Sequence, residues 1–363
     1  MNLARMWTIA RLELLQRVRA VSWYVLLGVF GLILLGVTAL SLLAFGGWAG
    51  GGPGVFSAVV CVTLLLALLV SPTLSGNSIN GDRDAATLAP VQVTLATTGE
   101  ILIGKFVAAW ITGLAFVAVA APFLLVAMIA GGTNPAVVVV ALVVLVVEIG
   151  VVGAIGVALS GILARPLFSV AVTYLLVAAL SVGTLIGFGL IGSALSSEAV
   201  SKSRSFDYDE MGFPKCQDGG GGCEGRLDQM VCGEWTTSTY RVPRFDRVWW
   251  MLSSNPFVIL ADATPTTFDV NGNPDDVFGW IKTSARSAQI PPDLAPVWDG
   301  CDPALYEGGG AGYTTPEQTV AETVPSWFVG LGVQVALAAL LLWWAWARTR
   351  TPSRALPPGT RIA

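Results

Sequence analysis

The stretch from Ala136 to Ala164 reads AVVVVALVVLVVEIGVVGAIGVALSGILA and holds a single charge, Glu148. Its many valines would favour a β-strand in water. It is, however, longer than the about 20 apolar residues that a helix needs to cross a bilayer core about 30 Å thick. In lipid a chain must satisfy its own backbone hydrogen bonds, so a run of this length predicts a transmembrane helix.

Five further apolar runs qualify by the same measure of length. They are Val21–Phe45, Val55–Gly76, Leu102–Ala130, Leu167–Leu195 and Ser326–Ala347. The whole chain is 54% hydrophobic and 12% charged, about half the charge of a typical soluble domain. We therefore predict an all-α polytopic membrane protein with six transmembrane helices, which excludes a disordered chain and an ordinary cytosolic enzyme.

The distribution of charge predicts which side of the membrane each connection faces. With the N-terminus inside, the cytoplasmic pieces are residues 1–20, 77–101, 165–166 and 348–363. Together with Lys105 they hold 11 Lys and Arg residues against four acids, whereas the opposite side holds nine against 19. Because basic residues are retained in the cytoplasm, both termini are predicted to be cytoplasmic.

Residues 1–20 carry several charges and no short apolar core before a cleavage site, so they are not a cleavable signal peptide. Apolar residues recur on one helical stripe, at Leu3, Trp7, Ala10, Leu14 and Val18. Arg11 and Arg17 lie close to that stripe and can extend to lipid phosphates. We predict a helix lying on the inner membrane surface; the alternative is a positively charged tail without this role.

The segment 196–325 is long enough for a folded extracytoplasmic domain between spans five and six. It contains four of the five cysteines, namely Cys216, Cys223, Cys232 and Cys301. Cysteines confined to the external side predict two disulfides with three possible pairings. A zinc site is disfavoured because no close CxxC pair and no histidine is present, so no metal site is predicted. The apolar patch Val248–Leu252 with Phe257–Leu260 is either part of this domain's core or a substrate-contacting surface.

The sequence gives the chain no catalytic or nucleotide-binding motif of its own. Gly99 to Phe106 almost matches a phosphate-binding loop, but Phe106 replaces the hydroxyl that would bind Mg²⁺. Without histidine, a membrane enzyme would depend on paired carboxylates, and the acids of segment 196–325 are dispersed. Basic residues are spread along the membrane face, which disfavours nucleic-acid binding. We predict that the chain is not an enzyme and binds no cofactor.

The predicted cytoplasmic loop 77–101 has charges at both ends and a mildly apolar middle. It begins with Asp82, Arg83 and Asp84 and ends with Glu100, with Lys105 just beyond it. Such a loop either folds as a surface helix that docks onto a cytoplasmic partner or is a solvated turn held by its charges.

Two stretches of this region resemble a known family. Residues 82–88 (DRDAATL) and 100–105 (EILIGK) are similar, at the right spacing, to the first cytoplasmic loop of permease subunits of bacterial type-2 ATP-binding-cassette (ABC) exporters. The Arg11-x-Glu13 pair before span one is also similar to the family's N-terminal helix. Departures are Ala86, where the family usually has Gly, and Leu95, where a Pro is common.

The resemblance implies a transporter in the bacterial inner or plasma membrane. A second permease copy or a paralogue would pair with this chain, and a separate cytoplasmic ATP-binding-cassette subunit would bind ATP and Mg. The exported substrate would be lipid-like, a peptide or another hydrophobic molecule. The chain itself would be surrounded by membrane lipids. The residues implied in coupling to the ATPase subunit are Asp82, Arg83, Asp84, Thr87, Glu100 and Lys105.

Glu148 is the charge inside the fourth predicted span. A charge at the bilayer centre costs about 2.5–3.5 kcal/mol on insertion scales, so it must face a cavity, a partner or a proton. Gly150, Gly153 and Gly156 beside it favour close helix packing. We predict that Glu148 lines the translocation path; a structural hydrogen bond and a position near the interface are the alternatives.

The predicted organisation is an interfacial helix at 1–20, spans one to five at 21–195, the external domain at 196–325, span six at 326–347 and a tail at 348–363. The alternative function is a membrane-anchored receptor or assembly scaffold that displays the disulfide-bonded domain.

Overall fold

A computed structural model describes residues 2–45, 52–84, 97–210, 212–216, 229–302 and 314–349 of the chain. Thr87 and Cys223, both named as candidates above, lie outside these described residues.

Helices make up most of the described chain. In chain order they are α1 Leu3–Arg19, α2 Val21–Phe45, α3 Gly52–Ser75, α4 Asn80–Asp84, α5 Thr98–Gly131, α6 Pro135–Ile162, α7 Pro166–Ala178, α8 Thr184–Ala194, α9 Trp250–Ser253, α10 Pro256–Ala263, α11 Val277–Ser287, α12 Pro316–Glu322 and α13 Trp327–Thr349. The strands are β1 Ser196–Arg204, β2 Thr236–Pro243 and β3 Val297–Asp299.

Among the described residues, six helical segments are long and apolar enough to cross a membrane, which confirms the six predicted runs. The fifth segment, Pro166–Ala194, contains a π-helical turn at Ala179–Gly183 between α7 and α8. The third begins at Thr98, four residues before the predicted Leu102. The reason is a capping box in which Thr97 and Glu100 bond each other's backbone N–H groups and start the helix early.

The fourth apolar segment, α6, is the centre of the bundle. Of its most apolar stretch 61% is buried inside the protein, against 11% for the fifth segment. Its glycines allow this central position, as predicted. A Cβ on Gly156 would lie 1.9 Å from Ser75 Oγ, and one on Gly150 would lie 3.1 Å from Trp110 Nε1, so α3 and α5 approach the backbone of α6 closely.

The all-α prediction is wrong for the segment that follows α8, because this segment contains a three-stranded sheet. The strand order is β2-β1-β3, with β1 antiparallel to β2 and parallel to β3. Runs of Ser, Thr and Val suit an extended, mostly exposed strand better than a helix. The length criterion that identifies membrane-spanning helices does not apply to this polar segment.

A disulfide joins Cys232 to Cys301. Of the three pairings that the sequence left open, only one contains this bond; its second disulfide would involve Cys223, which lies outside the described residues.

The apolar patch at Phe257–Leu260 belongs to the core. It lies in α10, which packs against both α6 and α13. Ile259 and Leu260 are fully buried in the same hydrophobic cluster as span residues such as Phe56. At the start of this helix the Asn255 amide donates to the Ser181 carbonyl and lies 3.0 Å from Thr184 Oγ1. The turn between α9 and α10 therefore reaches the π-helical turn in the middle of the fifth apolar segment.

Candidate functional site

Lys105 lies at the centre of a buried junction at the end of the bundle that carries α1. It is 3% exposed, and its ammonium group pairs with the carboxylates of Glu13 on α1 and Asp82 on α4. Lys105 Nζ lies 2.7 Å from Asp82 Oδ2 and donates to the Ser78 carbonyl at 2.8 Å. One cation therefore holds α1, α4 and α5 together.

The first turn of α5 is fixed to the start of α1 by Glu100. One carboxylate oxygen accepts from the backbone N–H of Asn2 at 2.6 Å, and the other accepts from Thr97 N–H at 2.9 Å. Asn2 in turn caps α1 by accepting from Ala4 N–H. Glu100 is 2% exposed, so it anchors two helix starts and presents no surface to another protein in this conformation.

The turn before α4 is fixed to the end of α6. Ser160 Oγ accepts from the backbone N–H groups of Ile79 and Asn80, at 2.9 and 3.0 Å. Arg83 donates to the Gly161 carbonyl at 3.2 Å. The loop that leaves α3 is thus attached to α5 through an ion pair and to α6 through hydrogen bonds.

The predicted coupling residues therefore occupy different positions. Asp82 and Lys105 are in direct contact and line a cavity of about 170 Å³ with Glu13. Glu100 and Arg83 bond neighbouring backbone instead. Asp84, at the end of α4, is exposed, and it immediately precedes residues 85–96, which the structure does not describe.

The helix α1 is docked onto the bundle more closely than a purely interfacial helix would be. A Cβ on Gly104 of α5 would lie 2.9 Å from the Met6 carbonyl. Arg17 donates to the Leu74 carbonyl at 2.7 Å. This contact directs its side chain to the bundle and not to lipid phosphates, contrary to the prediction. Burial lowers the pKa of Arg17, and the nearby Glu13 carboxylate opposes this effect.

Sequence reasoning gave Glu13 no role beyond the Arg11-x-Glu13 resemblance, and it missed Ser160. Glu13 is an acid in a helix whose other charges are basic, which is the signal that could have identified it. Ser160 gives no such signal, because a serine in an apolar run is usually bonded to its own helix.

Glu148 lies apart from the Lys105 junction, in the middle of α6. It is fully buried, and neither carboxylate oxygen has a hydrogen-bond partner among the described residues. Gln334 of α13 lies close to Glu148, and its amide donates at 3.0 Å to the carbonyl of Ser254 in the turn between α9 and α10. Contact with a substrate would require α6 and α13 to separate.

A second charged network lies at the opposite end of the bundle and was not predicted. Asp262 of α10 pairs with Arg286 of α11 at 2.6 Å. Its second oxygen accepts from Ser326 N–H, Ser326 Oγ and Trp327 N–H, at 2.6, 3.0 and 3.0 Å. Asp262 therefore supplies the acceptor that the unpaired N–H groups at the start of α13 need. Arg286 also donates to the Val320 carbonyl at 3.0 Å.

Neighbouring groups of this network are buried as well. Lys282 Nζ donates to the Thr264 carbonyl at 2.6 Å, and burial lowers the pKa of Lys282 to about 8. Burial also raises the pKa of Asp276, which caps α11 by accepting from Gly279 N–H at 2.7 Å. These contacts lie within segment 196–325, where they join α11 to the end of α10 and cap the start of α11.

No protein-family model matches the chain, and no curated protein matches its sequence. Function must therefore be argued from the geometry of the helices and their two charged networks.

Proposed function

We propose that this chain is the membrane permease subunit of an ABC transporter that exports a lipid-like, peptide or hydrophobic substrate. ATP and Mg would be bound by a separate cytoplasmic subunit. The observation that carries the proposal is the Lys105 junction, where a buried cation joins the first loop, the N-terminal helix and the third membrane-length helix.

The junction suits a protein that receives force from outside the membrane. A subunit that docks on the residues next to Asp84 would act on α4, because those residues follow α4 directly in the sequence. Movement of α4 would reach α5 through Asp82 and Lys105, and would reach α6 through Ser160. This placement requires the α1 end of the bundle to be cytoplasmic, as the charge asymmetry predicts.

The same movement would reach the buried Glu148. Helix α6 carries both Ser160 at its end and Glu148 at its middle, and it packs along α13. A shift of α6 relative to α13 would part Glu148 from Gln334 and open a polar position halfway along the bundle. In this role Glu148 lines the translocation path only in the conformation in which the helices are apart.

The fifth apolar segment supports pairing with a second permease copy or a paralogue. Only 11% of its most apolar stretch is buried within the chain, and large side chains such as Leu167, Leu175 and Leu190 are exposed. Helices in lipid associate through packing, and this segment offers a long surface for it.

The receptor or scaffold alternative is less well supported. A domain that is merely displayed needs only a connection to its anchor. Here α10 lies inside the hydrophobic core of the bundle, and its Asp262 accepts the hydrogen bonds at the start of α13.

The test is affinity purification of the chain from native membranes in mild detergent, followed by mass spectrometry. We expect a soluble subunit with a GxxxxGK[ST] loop to copurify. We expect Asp84→Lys to release it, and we expect the exposed control Glu322→Lys to retain it. Asp84 is exposed, so its replacement should not disturb the fold. Recovery of intact, folded chain with no such subunit would contradict the proposal.

A further inference from the structure

Two adjoining cavities lie between the end of the fifth apolar segment and the chain that follows it. Their volumes are about 400 and 450 Å³, within the range of small-molecule sites. Phe188 of α8 and Ser284 of α11 line both cavities, so the two adjoin along these side chains, and together they are called the groove.

Close contacts hold the walls of this groove in place. A Cβ on Gly192 would lie 2.2 Å from Phe245 Cδ1, and one on Gly187 would lie 2.7 Å from Met251 Cε. The Phe188 and Phe245 rings are 5.0 Å apart. A side chain at Gly192 would meet the Phe245 ring, so α8 can approach the rest of the fold this closely only with glycine there, whereas at Gly187 a shift of the flexible Met251 side chain would make room.

The two halves of the groove differ in chemistry. Apart from Ser284, the smaller cavity has apolar walls, made by Leu185, Phe188, Leu252, Val258, Trp280, Ile281 and Ala285. The larger cavity shares Ser284 with the smaller one and has two further polar residues, Asp246 and Ser287. Leu185 and Phe188 both belong to the fifth membrane-length segment, with Phe188 nearer to its end, and the larger cavity extends from Phe188 to residues that follow that segment.

The polar half is suited to hydroxyl groups rather than to phosphate. Among the described residues, no Lys or Arg lines either cavity. Arg244 donates to both carboxylate oxygens of Asp246, at 2.7 and 2.6 Å, and this contact lowers the pKa of Asp246. The ionised pair can accept hydrogen bonds from a hydroxyl-bearing ligand, and because Arg244 is already bound by Asp246 it is not placed to bind a phosphate.

We propose that this groove binds an amphiphilic lipid with an uncharged, hydroxyl-bearing headgroup, its acyl chain against Leu185 and Phe188 and its headgroup against Ser284, Ser287 and Asp246. As a site for exported substrate this rests on the proposed function, whereas as a lipid site it does not. The apolar half excludes water from the acyl chain of the lipid. The serine hydroxyls and the carboxylate set the preference for the headgroup.

The probe is a glucosyl diacylglycerol with a diazirine in one acyl chain, used with the purified full-length chain in nanodiscs without ATP or another subunit. Cross-linked peptides should map to α8 and α11. Ser284→Trp fills the shared wall of the two cavities and should reduce this labelling by about tenfold, equivalent to 1.4 kcal/mol of binding. Ser193→Trp places the same side chain on an exposed position of α8 outside the groove and should leave the labelling unchanged.

A second variant separates headgroup recognition from blocking. Ser284→Ala combined with Ser287→Ala keeps the shape of the groove and should abolish the advantage of unlabelled glucosyl lipid over phosphatidylglycerol as a competitor. Labelling spread evenly over the membrane-length helices and insensitive to Ser284→Trp would overturn the site. Equal or better competition by phosphatidylglycerol against the unaltered chain would overturn the headgroup. Since neither readout needs ATP, failure here is distinct from failure to copurify an ATPase subunit.

Discussion

Two buried cations, Lys105 and Arg286, hold the opposite ends of the bundle together in different ways. The carboxylates that pair with Lys105 are partly exposed, at 18% for Glu13 and 32% for Asp82. Arg286 and Asp262 are 7% and 0% exposed. Water can therefore reach the partners of Lys105 when the ion pairs open, whereas the partners of Arg286 have no such alternative.

This difference indicates which end is fixed and which can move. Asp262 also accepts from three donors at the start of α13, so opening that network would leave several buried groups without partners. The Lys105 junction joins elements that can each be solvated separately. The α1 end is thus suited to repeated rearrangement, and the opposite end to holding α10, α11 and α13 as one unit.

The largest effect is expected from Asp262→Ala. The change leaves a buried guanidinium and the first N–H groups of α13 without their acceptor, which costs about 3–5 kcal/mol for a broken buried pair. Thermal unfolding in nanodiscs should show a much lower midpoint, or no folded protein. The control Glu322→Ala removes an exposed carboxylate and should unfold like the unaltered chain. A midpoint for Asp262→Ala close to this control would refute the fixed end.

Removing the disulfide tests the same end at a different place. Replacing both Cys232 and Cys301 with Ser should destabilise segment 196–325 by about 2–4 kcal/mol and accelerate its proteolysis. Cys61, a free cysteine in α3, supplies the control Cys61→Ala, which should leave the cleavage rate unchanged. Equal rates would show that the buried network holds the segment without help from the disulfide.

Lys282 gives a pH dependence to the fixed end. Its pKa is about 8 in the folded protein and about 10.4 in an unfolded chain. Between these values the unfolded state binds more protons, so stability should rise with pH by up to about 3 kcal/mol. The slope of the unfolding midpoint between pH 8 and 10 measures this. Lys282→Met should flatten the slope, and an unchanged slope would argue against the lysine as its source.

A smaller effect is expected at the α1 end from Glu100→Ala. It removes one capping box and the bond to Asn2 N–H, and losing a helix cap typically costs about 1 kcal/mol. Hydrogen exchange should increase at residues 2–5 and 98–101 and stay unchanged in α10. Increased exchange in α10 would mean that the two ends are not distinct.

How far the sequence predicts this molecule depends on the range of the interactions involved. The six apolar helices follow from length and composition, because lipid forces a long apolar run to be helical. The partners in the networks do not follow, since Glu13 and Lys105 are 92 positions apart and Ile79 and Ser160 are 81 apart. The loop motif identified Asp82 and Lys105 but did not show that they touch. The sheet and the burial of α10 depend on tertiary packing that a local pattern does not contain.

The most direct test of the account is hydrogen exchange of the chain purified with the ATP-binding subunit that we propose as its partner, measured with and without ATP. We expect ATP to change exchange in α6 and α13 around Glu148 and Gln334 in the unaltered chain and in the exposed control Lys202→Met. In Lys105→Met the ATPase should still bind and hydrolyse ATP, but the change in α6 and α13 should be lost. An identical ATP-dependent change in Lys105→Met would contradict the claim that the Lys105 junction transmits movement into the bundle.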